Sequence, residues 1–85
     1  MKLQIWGKTD GTCPQCNDLK RFIGDRFDYQ FIDAADEVNE LERTLNYIVS
    51  LPVIRLMDGN KEIKRVTGFS AGNKNAVIEI LKESV

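Results

Sequence analysis

The chain has 85 residues, 42% of them hydrophobic and 29% charged, the composition of an ordinary globular protein with room for one domain, expected to span 1–85. Twelve Lys and Arg against thirteen Asp and Glu give a net charge of −1, and no basic cluster stands out, which argues against an electrostatic nucleic-acid binder. No run approaches the roughly 20 apolar residues that span a bilayer. Met1–Trp6 is too short and too polar for a secretory leader, so a cytoplasmic protein with no membrane partner is expected.

Leu3-Gln4-Ile5-Trp6 alternates in part and stops at Gly7, as a short strand does, and Trp6 reads as core. The turn-rich Thr9-Asp10-Gly11-Thr12 leads into Cys13-Pro14. Pro14 suits the first position of a helix, where its missing N–H has no partner to lose. Leu19, Phe22 and Ile23 then form one apolar face. The helix should end near Gly24, with Lys20 and Arg21 complementing its dipole. Tyr29, Phe31 and Ile32 predict a second strand over residues 28–33.

Asp36 as cap, with Val38, Leu41, Leu45 and Ile48 at helical spacing, predicts a second helix that Pro52 prevents from continuing. Val53–Met57 reads as a strand buried on at least one face. Asp58-Gly59 is the strongest hairpin signal in the chain, and Glu62–Val66 returns as its partner strand. Ser70 is expected to cap a last helix with Val77, Ile80 and Leu81 buried. The predicted order is β-α-β-α-β-β-α. Two strand–helix units in front imply a parallel pair of strands and the hairpin an antiparallel pair. One mixed four-stranded sheet flanked by three helices accommodates both, an α/β fold.

The chemistry lies in Cys13-Pro14-Gln15-Cys16. A free thiol titrates near about 8.5, whereas CxxC thiols at helix N-termini fall to about 3.5–7.5. Unpaired N–H groups of the first turn can face the Cys13 sulfur, while Cys16 lies deeper. Cys13 is therefore expected to attack a disulfide and Cys16 to resolve the mixed disulfide. Competing fates are a structural disulfide, two inert core thiols, or a binding module whose CxxC is vestigial or shares a metal with another chain. A zinc site within one chain lacks ligands, because two Cys and no His fall short of four. No bound metal is expected.

Three marks carry a resemblance over essentially the whole chain: strand-turn-Cys13-Pro14-Gln15-Cys16-helix, Leu51-Pro52-Val53, and Gly68-Phe69-Ser70 before the last helix. In these the sequence resembles the glutaredoxin family of the thioredoxin superfamily, both the small bacterial and phage glutaredoxins and the NrdH-like redoxins. The resemblance implies a thioredoxin-like fold and a cis Leu51–Pro52 peptide beside the CxxC. It also implies a substrate-binding role for Leu51 through its N–H and C=O. Pro52, Gln15, Lys8, Gly68, Phe69 and Ser70 complete the expected binding set.

Lys8 either pairs with a carboxylate of glutathione, or lowers the Cys13 pKa, or is a solvated loop lysine. Asp10 would raise the Cys13 pKa if it came near the sulfur. Phe69 either covers the site or belongs to the core. Against glutathione-using glutaredoxins, Gln15 replaces the usual Tyr and Ser70 an acidic residue, and Lys8 stands two residues further from the first Cys. The implied partners are a disulfide-bearing protein, ribonucleotide reductase among them, and as reductant either glutathione or thioredoxin reductase. No resident cofactor is expected, and a monomer is.

Overall fold

The computed structural model describes all 85 residues. Its elements are β1 (Lys2–Gly7), α1 (Pro14–Ile23), β2 (Tyr29–Asp33), a 3-10 turn (Glu37–Asn39) running into α2 (Glu40–Leu45), β3 (Val53–Asp58), β4 (Lys61–Thr67) and α3 (Lys74–Glu83). The sheet order is β2-β1-β3-β4. β1 pairs parallel with β2 and antiparallel with β3, and β3 pairs antiparallel with β4. This is the mixed four-stranded sheet and three-helix arrangement expected, a thioredoxin-like fold. No helix is long and apolar enough to cross a membrane.

Alternation along the strands sorts side chains onto two faces. Leu3, Ile5, Ile54 and Leu56 face α1 and α3, where Leu19, Ile23, Val77, Ile80 and Leu81 close the main core. Trp6 and Val53 point the other way and pack with Ala34, Ile48, Ile32 and Leu51. The indole of Trp6 is buried as expected and donates to Gln4 Oε1 at 2.8 Å.

The second face is only half apolar. Arg55 is 5% exposed there, the one buried charged residue of the chain. Its guanidinium donates to Gln4 Oε1 (2.6 Å), Glu62 Oε1 (2.7 Å) and Asn46 Oδ1 (3.2 Å). Arg65, its cross-strand partner, donates to Glu62 Oε1 at 2.8 Å and to the carbonyls of Asn46 and Tyr47. A buried charge persists only when its hydrogen bonds are met, so this half of the face selects polar neighbours.

That requirement corrects the expectation for the second helix. The helix ends at Leu45, three residues short of Ile48, and Tyr47 follows with φ 55°. Asn46 is drawn inward to Arg55 and Arg65, while Val38, Leu41 and Leu45 stay exposed. Only Ile48 of the four spaced residues is buried, and it is carried by the loop.

Two smaller corrections concern the ends of elements. The hairpin turn proper is Gly59-Asn60, since Asp58 already pairs with Lys61, and a bulge shifts the register between Leu56 and Met57. Ser70 does not cap α3; Asn73 occupies that position. The Asn73 side chain instead accepts from Ser70 N–H (2.8 Å) and donates to the carbonyls of Thr67 and Gly68. A side chain turned back onto the preceding loop makes no cap bond to the helix itself.

Burial alone would raise the Glu62 carboxyl, but hydrogen bonds from Arg55 and Arg65 outweigh it and hold it below its ordinary value of 4.5. A depressed carboxylate stabilises the fold above its unfolded pKa, and that contribution is lost as pH falls through the folded one. Glu62→Gln should therefore cost about 1.5–3 kcal/mol at neutral pH. It should also flatten the loss of stability below pH 4.5, as urea titrations at a series of pH values would show. An unchanged pH slope contradicts the assignment.

Candidate active site

Pro14 starts α1 as predicted, with Cys13 at the N-cap in extended conformation. Cys13 Sγ accepts the Cys16 N–H at 3.2 Å, and Cys13 C=O accepts from Asn17 N–H at 3.1 Å. One otherwise unpaired donor of the first turn, the Cys16 N–H, thus faces the first sulfur. Cys13 and Cys16 are joined as a disulfide, with Cα atoms 5.2 Å apart. Cys13 is half-buried and Cys16 is 1% exposed, so a substrate can approach only the first sulfur.

Gly7, at the end of β1, makes room for the second. A Cβ at Gly7 would lie 3.1 Å from Cys16 Sγ and 3.1 Å from the Phe31 ring. Side-chain volume here would push the disulfide away from the sheet.

An open groove of about 370 Å³ has Cys13 in its wall, together with Lys8, Thr12, Pro14, Gln15, Arg43, Val49 and Leu51. Two larger grooves, of about 670 and 750 Å³, share Met1–Leu3 and contain no cysteine. Chemistry, not size, therefore selects the smaller one. Of the predicted binding residues, Lys8, Gln15 and Leu51 lie in it. The Leu51–Pro52 peptide is cis, as the resemblance implied, and Pro52 is buried. Neither the N–H nor the C=O of Leu51 makes a hydrogen bond within the chain.

Gly68 and Phe69 reach the site through backbone rather than side chains. Phe69 N–H donates to Gln15 Oε1 at 2.9 Å, and Gly68 N–H donates to Pro52 C=O at 2.7 Å. Gly68 adopts φ 84°, a conformation suited to glycine, with Gln15 Oε1 3.4 Å from where a Cβ would stand. Three segments far apart in sequence are thus tied into one unit. The Phe69 ring is half-buried and meets Phe22 at 5.3 Å between centroids, which makes it a core contact. Ser70 is exposed, outside the groove, and bonded to Asn73.

Asp10 is held within its own loop. Its carboxylate accepts the Thr12 hydroxyl at 2.6 Å and the Thr12 N–H at 3.0 Å. These bonds, with the charge of Lys8 nearby, keep Asp10 below its ordinary value. Thr9 hydroxyl donates to Asp33 Oδ2 at 2.9 Å and fastens the loop to the end of β2.

Arg43 was not foreseen. Its guanidinium donates to the carbonyls of Ile48 (2.9 Å), Ala34 (3.2 Å) and Val49 (3.4 Å), and so shapes the approach to Leu51. An arginine among charged helix residues carries no local signal of this, because its partners belong to loops.

No protein-family model matches the chain, and no curated protein matches it in sequence. Among solved structures it is similar to thioredoxin 1 from the thermophilic eubacterium Thermosipho africanus TCF52B. The TM-score is 0.68 and the identity 20%, over 98% of this chain and 92% of that one. It is also similar to a malarial protein, with TM-score 0.56 and 20% identity, over 100% of this chain and 99% of that one. At this identity the likeness establishes the thioredoxin-like fold.

Two substitutions test the geometry. Gly7→Ala should destabilise the protein by about 1–3 kcal/mol through overpacking against Cys16 and Phe31, measured by denaturant unfolding; a neutral result contradicts the close approach. Gln15→Ala should cost about 0.5–1.5 kcal/mol and speed hydrogen exchange at the Phe69 amide while leaving core amides unchanged. An unchanged Phe69 rate would mean that the bond is not formed in solution.

Proposed function

We propose that the chain is a glutaredoxin-like thiol–disulfide oxidoreductase that reduces disulfides in proteins, or mixed disulfides with glutathione, through Cys13 and Cys16. The observation that carries this reading is the half-exposed Cys13 sulfur at a helix N-terminus, bonded to a buried Cys16. A structural disulfide needs neither an exposed sulfur nor a groove, and one closing so short a loop gains little chain entropy.

In the reduced protein, the Cys16 N–H that meets Cys13 Sγ favours the thiolate. Cys13 Sγ attacks one substrate sulfur, and the other leaves as a thiolate that takes up a proton. Cys16 gives up its proton and attacks Cys13 Sγ, releasing the second substrate sulfur and closing the Cys13–Cys16 bond. Two electrons and two protons pass to the substrate, so a reductant must return them. That reductant is glutathione or a thioredoxin reductase in the cytoplasm. Lys8 offers glutathione a cation in the groove, and Leu51 offers an extended chain one free N–H and one free C=O. Ribonucleotide reductase is the client that the resemblance suggests. The carrier works as a monomer.

Cys13→Ser should abolish reduction of hydroxyethyl disulfide and insulin. Cys16→Ser should instead accumulate a mixed disulfide on Cys13, visible by intact-mass spectrometry. The reverse pattern would exchange the two roles, and activity in both variants would sink the mechanism. Re-reduction by glutathione alone, compared with thioredoxin reductase alone, identifies the reductant.

A further inference from the structure

No residue of α2 is buried, and its leucines stand in water beside its glutamates. Five of the eight exposed large hydrophobic residues fall between Val38 and Val49; the others are Met1, Val85 and Ile63. Val38 is 81% exposed, Leu41 68%, Leu45 62%, Tyr47 81% and Val49 78%. Leu41 and Leu45 are one helical turn apart and share a face. A helix on the surface of an isolated domain presents mainly polar residues to water, and a concentration of exposed apolar side chains in one short stretch points to a contact.

Two further features say what fits there. Asp36, Glu37, Glu40 and Glu42 alternate along the chain with Val38, Leu41 and Leu45, and all four are exposed. The one cation of this stretch, Arg43, is bonded to three backbone carbonyls. The surface is therefore apolar with an acidic rim. The chain also runs from it into Val49 and Leu51, which line the groove at Cys13. A second copy docking face to face would set four carboxylates against four more, and like charges oppose that pairing.

We propose that Val38, Leu41, Leu45 and Tyr47 form a docking surface for a disulfide-bearing client protein whose contact segment carries apolar side chains flanked by Lys or Arg. This rests on the oxidoreductase reading above. The surface holds the client while its disulfide lies in the groove at Cys13, so it acts on affinity and partner choice and not on the chemical step.

The probes are three synthetic peptides, each closed by one disulfide. The first has Leu at helical spacing flanked by Lys, the second replaces Lys by Glu, and the third replaces Leu by Ser. Hydroxyethyl disulfide, too small to span the groove and α2 together, reports the basal chemistry. The first peptide should show a KM about tenfold below the other two, the preference over its Glu twin shrinking as salt rises. Leu41→Ser with Leu45→Ser should raise that KM about tenfold, or about 1.4 kcal/mol, leaving kcat and hydroxyethyl disulfide reduction unchanged. Equal KM values for the three peptides, or a double variant that behaves as wild type, overturn the docking surface while the redox reading stands. A wild-type dimer that the double variant dissociates assigns the face to a second copy and overturns it equally. A wild-type protein inactive on hydroxyethyl disulfide removes the oxidoreductase reading itself.

Discussion

The bond from Phe69 N–H to Gln15 Oε1, with its neighbour from Gly68 N–H to Pro52 C=O, holds the site together. Cys13, Leu51 and Gly68 come from a helix start, a strand entry and a loop, separated by as many as 55 positions, yet each is within one or two residues of this pair of bonds. On the oxidoreductase reading a mixed disulfide needs its attacking sulfur and its substrate strand in a fixed relation, and these two bonds, one accepted by the Gln15 side chain and one by the Pro52 carbonyl, supply it. Gln15 lies between the two cysteines, so the bond orients the reacting turn directly.

Beneath this unit, the two faces of the sheet do different work. The apolar face receives α1 and α3 and fixes the direction of the CxxC helix through Leu19 and Ile23. The other face carries Arg55, whose bond to Asn46 Oδ1 holds the end of α2 in place, while Arg43 and Arg65 hold the loop that follows by its carbonyls. Leu51 is thus positioned by arginines, and the helix that precedes it keeps its apolar residues in water. Structural need on one side of α2 and an available surface on the other are consequences of the same buried charge.

Most of the fold was legible in the sequence because its signals are local. Pro14 and Gly24 bound α1, Gly59 marks the hairpin, and Val77, Ile80 and Leu81 state a buried face. The place of Cys13 at the start of α1, with Cys16 one turn in, was legible for the same reason. The second helix was not, because apolar spacing reveals a common face but not whether it turns toward the sheet; that depended on Arg55, a strand residue met later in the chain. Arg43 and the Gln15–Phe69 bond were invisible on similar grounds, since their partners are distant backbone groups. Asn73, rather than Ser70, begins α3, a choice made by which side chain has carbonyls to bind in the preceding turn.

All of this rests on the Cys13–Cys16 bond being a working redox couple and not a staple. Equilibrating the protein in glutathione redox buffers and counting free thiols by mass spectrometry after acid quench and alkylation tests that claim most directly. A carrier should show a single two-electron transition with a midpoint of about −200 to −270 mV. A midpoint below about −300 mV, in the range of structural disulfides, would contradict the account.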